Sequence, residues 1–177
     1  MLSDNQSIEE LQNIIKNINK NNTSQSNVID WESRKKWWLG KINEFYSDIE
    51  KWCKEINVKV DKFDIVINEK NIGPYTTKKM VLFVGKKNFL FVPVGTIIIG
   101  GRGRIDIIYG SSQKKLILFA KRELENPNKV NNEVLSKIYN NPEPKETEWY
   151  LCDNSGRHKK LFDHKAFLEF LVENMEN

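Results

Sequence analysis

The spacing of apolar residues divides the chain into segments of different period. Trp31, Trp38, Phe45 and Trp52 stand seven apart, and Ile42, Ile49 and Ile56 fall between them, giving a 4-3-4-3 spacing from Trp38 onward. Such a stripe is the buried side of an amphipathic helix. Asp30 stands where a side-chain cap belongs, so the helix is predicted from there to about Ile56, with Trp37, Tyr46 and Cys53 widening its apolar side. Packing on a sheet is the simplest use of that side; a seam for a partner helix is the competing use, with few heptads to support it. After Val58 the period falls to two. Phe63, Ile65 and Ile67 alternate with Asp64 and Asn68, which predicts a strand with one wet face.

Further strands are predicted at Met80–Val84, Phe89–Val92, Thr96–Ile99, Arg104–Tyr109, Lys115–Lys121 and Glu148–Cys152. Gly73-Pro74, Gly85–Asn88, Gly100–Gly103, Gly110–Gln113 and Asp153–Gly156 supply the turns, and connections this short make neighbouring strands antiparallel. Pro93 is expected to end its strand or to lie on an edge, because proline donates nothing to the ladder. A short helix is predicted near Asn132–Tyr139. Asp163 caps a final helix, with Phe162 stapled to Phe167 and with Leu168, Phe170, Leu171 and Met175 on its apolar side.

The N-terminal segment reads differently. Ser7-Ile-Glu-Glu10 forms a capping box ahead of Ile8, Leu11, Ile15 and Ile18, which recur at helical spacing, and a polar tract follows from Asn19 to Asn27. Residues 1–27 are therefore read as a helical arm and linker, and residues 28–177 as one α+β domain. In that domain a curved antiparallel meander is covered by the long Trp-rich helix and the C-terminal helix.

Composition narrows the function classes. With 177 residues, 39% of them hydrophobic, the chain holds enough apolar material for a core. Twenty-eight Lys and Arg against 24 Asp and Glu leave a formal charge of +4, too small to establish nucleic-acid binding by itself. No run approaches a membrane helix, no basic and apolar leader opens the sequence, and two cysteines make no disulfide framework, so a bacterial-type cytoplasm is the expected home and no membrane partner is expected.

Few residues carry recognisable chemistry. His158 and His164 lack companions at metal-ligand spacing, and the fingerprints of nucleotide sites and of the serine hydrolase elbow are missing, so no metal and no cofactor are expected. Cys53 and Cys152 read as small buried hydrophobes. The segment Gly100-Gly-Arg-Gly-Arg-Ile-Asp106 is the most unusual. Its glycines permit a bend or a close approach, and Arg102 and Arg104 can offer forked donors to a phosphate or carboxylate. With Gly101, Gly103, Lys121 and Arg122 they form the predicted binding set, to which Lys114, Lys115, Arg157, Lys159 and Lys160 add charge and Tyr75, Tyr109 and Trp149 add stacking faces. The competing reading makes the glycines a sheet bend, pairs Arg104 with Asp106, and leaves the lysines as a solvated face.

Asp106 on one strand and Lys121 at the end of the next resemble the hairpin of the PD-(D/E)xK nuclease superfamily over roughly 16 of the 177 residues. In that family an Asp and an E-x-K triplet on adjacent strands hold a divalent metal, and the lysine positions water. The resemblance makes Asp106 the first acid and Lys121 the lysine. Phe119 stands where the second acid belongs, and a phenyl ring gives a hard cation no oxygen; a degenerate relative that holds nucleic acid is what the departure implies. The sequence thus supports two functions. The first is non-catalytic protein binding of an adaptor, immunity or antitoxin kind, with Ile8, Leu11 and Ile15 as a docking helix. The second is nucleic-acid binding through the basic set, with Asp106 and Lys121 as the catalytic pair if cleavage occurs.

Overall fold

A computed structural model describes residue 12 and residues 30–96, 98, 101–121, 144–153 and 158–175. Apart from residue 12, the predicted arm and linker, with Ile8, Leu11 and Ile15, lie outside the described residues, as do residues 97 and 99 of the predicted Thr96–Ile99 strand, Arg122, Arg157 and the helix near 132–139. The described part is α+β. Helix α1 spans Trp31–Glu55, and strands β1 (Lys59–Glu69), β2 (Gly73–Val84), β3 (Lys87–Gly95), β4 (Gly103–Tyr109), β5 (Ser112–Ala120), β6 (Thr147–Cys152) and β7 (Lys159–Leu161) follow, then helix α2 (His164–Met175). The seven strands form one sheet in chain order, every neighbour antiparallel.

The ends of α1 follow local chemistry. Asp30 Oδ1 accepts from the Ser33 N–H at 2.9 Å, and this bond holds the Asp30 carboxyl below its usual pKa. At the other end the N–H of Val58 reaches the Cys53 carbonyl at 2.9 Å, and that of Asn57 reaches Lys54 at 3.3 Å. Asn57 takes the left-handed φ of +54° which this Schellman closure needs, and asparagine tolerates it. For α2, Asp163 Oδ1 accepts from the Ala166 N–H at 2.9 Å, and Phe162 meets Phe167 edge to face.

Both helices lie on one face of the sheet. Trp38, Ile42, Phe45, Tyr46 and Ile49 of α1, with Phe167, Phe170 and Leu171 of α2, pack on Met80, Leu82, Phe89, Phe91, Ile105, Ile107, Leu116 and Leu118. Phe45 sits between Phe91 and Trp149, while Phe170 lies against Phe89 and Tyr109. The meander is thus ordered by burying one face of each strand beneath the two apolar stripes.

Several expectations need correction. Gly73 and Pro74 lie in β2, and the turn before it falls at residues 70–72. The β4–β5 turn is Gly110-Ser111 alone, because Tyr109 pairs with Ser112, and Thr96 and Ile98 lie in no strand. The β2–β3 connection is a two-residue turn, Gly85-Lys86, because Val84 pairs with Lys87; Gly85 at φ +59° supplies the conformation that so tight a hairpin requires. Strand β3 continues through Pro93. Its ladder with β2 stops at Phe91 and its register with β4 shifts between Pro93 and Gly95, so the missing N–H falls where no bond is owed. Phe63 is 47% exposed rather than turned to a core. The buried side of β2 changes phase between Thr77 and Met80, and Phe63, paired with Lys79, falls in the changeover.

Candidate functional site

The Gly-Arg segment is built inward. Gly103 lies beneath Trp38, and Gly101 lies against Ile117 and Ile98, each so close that a Cβ would overlap its neighbours. The Arg102 N–H donates to the Leu118 carbonyl at 2.7 Å, which sets the loop against β5, and Arg102 is fully buried. Arg104 closes a two-pronged pair on Asp106, Nε at 2.6 Å and Nη2 at 2.8 Å, and Gln113 Nε2 donates to Asp106 Oδ2 at 2.6 Å. Of the expected surface, Gly101, Arg102 and Gly103 are buried in a bend, while Arg104 stays partly exposed opposite Ile117 and is held by its local ion pair with Asp106. At Gly103 the physical reason is helix packing: only a side chain of hydrogen lets α1 approach β4 at Trp38.

The nuclease-like pair is not assembled. Asp106 lies opposite Lys115, and Lys121 is six residues further along, about 20 Å at the rise of a strand. Lys121 Nζ instead stands 3.4 Å from Glu148, and Phe119 is buried edge-on to Tyr150. Among the described residues no three His, Cys, Asp or Glu side chains gather where they could hold a metal ion.

What sequence reasoning missed is a buried polar network at the start of α1. Arg34, almost fully buried, donates from Nε to Thr96 Oγ1 at 3.2 Å and from Nη2 to the Thr96 carbonyl at 3.0 Å. Glu69 accepts from the Tyr75 hydroxyl at 2.6 Å and from the Thr96 N–H at 2.8 Å and hydroxyl at 3.0 Å. Burial and the neighbouring Glu69 push the Tyr75 phenol up, while the Trp38 indole opposes them. The signal was present: Arg34 stands inside the apolar stripe, three after Trp31 and four before Trp38, where a charge must find an internal partner.

Both thiols are buried. Burial, reinforced by Glu50, raises Cys53 to about 12, and burial raises Cys152 against the pull of Lys159. Neither offers a ready thiolate. Beside Cys152 a cleft of about 440 Å³ is lined by Lys114, Leu151, Asp153, His158, Lys159 and Lys160. Three of the predicted lysines, Lys114, Lys159 and Lys160, thus converge at the end of β5 away from Lys121. Lys160 is engaged with Glu169 at 2.6 Å, and Lys159 Nζ lies 4.2 Å over the Phe119 ring. No helix among the described residues is long and apolar enough to cross a membrane. No protein-family model matches this sequence, and no curated protein or solved structure matches it.

Proposed function

We propose that this chain acts by binding a protein partner and carries out no chemistry of its own, as an accessory, immunity or antitoxin-like subunit does. The observation that carries the reading is the sheet face turned away from both helices. There Val81, Leu90 and Ile108 line up across three strands, and Ile117, Tyr150 and Leu161 across three more. Ile108 and Leu161 are 36% and 39% exposed. Val81 is buried and Leu90, Ile117 and Tyr150 are half-buried, so the open part of this face is Ile108 and Leu161 with their half-buried neighbours. Such a partly open apolar face favours a covering macromolecule. The groups that chemistry would need are meanwhile committed elsewhere: Asp106 to Arg104 and Gln113, and both thiols to the protonated form. The test is capture by the tagged full chain and by its Ile108→Lys, Leu161→Lys and Lys36→Ala variants, each checked for folding by circular dichroism. A partner held by the wild type and Lys36→Ala but lost from the two sheet variants supports the reading; equal capture by all four refutes it.

A second reading, nucleic-acid binding, is favoured by the lysine cleft. Lys114 and the adjacent Lys115 make no ion pair among the described residues, so their charge is available to a polyanion. Titration of labelled single-stranded DNA, duplex DNA and RNA against salt tests it. Steep salt dependence that flattens in Lys114→Ala/Lys159→Ala supports nucleic-acid binding, and no binding at low salt excludes it.

A further inference from the structure

We infer that strand β1 is the contact between two copies of this chain, pairing antiparallel with its own symmetry mate so that the two sheets become one. Among the described residues β1 ends the sheet, pairs only with β2, and runs for 11 residues from Lys59 to Glu69. So long an edge presents a row of unpaired backbone donors and acceptors, and no proline interrupts it. Val66 on it is 70% exposed and Phe63 47%.

The sequence of the strand selects both the occupant and the register. A two-fold axis through an antiparallel pair places one residue opposite its own copy. Centred on Asp61, Lys62 or Asp64, the pairing sets like charges face to face; centred on Ile65 it sets Asp61 against Glu69. Centred on Phe63 it creates no like-charge pair and engages nine residues of the strand, against seven about Val66 and three about Val60, which also avoid like charges. Lys62 then faces Asp64 of the second copy, twice by symmetry, Val60 faces Val66, and the two Phe63 rings meet on the axis. Directly opposed charges and apolar pairs on one face are the units that stabilise a ladder, and like charges there oppose it. Each lysine and aspartate is already held near the surface, Lys62 by Glu50 and Asp64 by Lys78, both at 2.6 Å, so the pairing extends an existing chain of charges. This contact is distinct from the outward sheet face and stands whether or not that face binds a partner.

Analytical ultracentrifugation of the full chain over a concentration series, combined with cysteine trapping, tests the inference. Opposed residues on antiparallel strands have Cα atoms about 4.5–5.5 Å apart, within reach of a disulfide. Phe63→Cys should therefore form a covalent dimer on mild oxidation. Asp61→Cys should not, since its two copies would lie four residues, about 13 Å, apart along the ladder. Lys62→Glu alone and Asp64→Lys alone should each weaken dimerisation by about tenfold, and the double exchange should restore it. A chain that stays monomeric throughout the series overturns the inference. A dimer indifferent to the charge exchange, or one that Asp61→Cys traps as readily as Phe63→Cys, overturns it equally; the charge variants decide the matter should Phe63→Cys fail to fold.

Discussion

Adding one methyl group at Gly103 tests the packing of α1 on the sheet. A Cβ there would overlap three atoms of the outer ring of Trp38, a residue with no exposed surface. The ring has little room to retreat, with Trp149 at 6.0 Å on one side and Phe45 at 4.9 Å beyond it. Overpacking a rigid core by a methyl costs about 1–3 kcal/mol. For a domain of this size that lowers Tm by about 2–12 °C. The control is the same substitution at Gly40, in the interior of α1, where a new Cβ meets nothing within 4 Å. Replacing that glycine removes unfolded-state freedom and should stabilise by about 0.5–1 kcal/mol. Urea unfolding followed by tryptophan fluorescence and far-ultraviolet circular dichroism gives both values. The double variant Gly103→Ala/Trp38→Phe should lose less than the sum of its parts, because the shortened ring makes room for the methyl. If Gly103→Ala behaves like Gly40→Ala, α1 does not cross β4 at Trp38 and the packing argument fails.

Other consequences can be measured in the same way. Tyr46 donates its hydroxyl to the Phe91 carbonyl at 2.9 Å, with the Lys78 carbonyl at 3.1 Å, where β2 and β3 part; Tyr46→Phe should cost about 1–2 kcal/mol in urea unfolding. Burial raises the acid groups Cys53, from 9.0 to about 12, Tyr46 and Tyr75. Above pH 9 the unfolded chain therefore loses protons that the folded chain keeps, so stability should fall as pH rises from about 9 towards 12, and less steeply in Cys53→Ala, as urea midpoints across that range would show. Asp106→Asn should cost about 1–3 kcal/mol by leaving the Arg104 fork against a neutral amide, whereas Lys121→Ala, on an exposed pair, should cost less than about 1 kcal/mol; thermal melts of equal depth for both would contradict this ranking.

Much of the architecture was legible because its causes are local. The seven-residue recurrence from Trp31 to Trp52, the Asp30 and Asp163 caps and the turn glycines each act within a few residues, and α1, α2 and the antiparallel order of the sheet follow from them. The candidate site was much less legible. Arg102 and Arg104 looked like surface donors, yet one is buried and the other is spent on Asp106. Asp106 and Lys121 looked like partners, yet strand register places Lys115 opposite Asp106. Sequence by itself determined the two helices and most of the strands, though not β7 or the exact turns, since periodicity and capping are properties of neighbours along the chain. Only the tertiary structure decided which polar groups face inward, where the Trp38 ring finds its glycine, and which strand is left as an edge. Burial and pairing depend on what the fold brings across from elsewhere, and no single segment encodes what will stand opposite it.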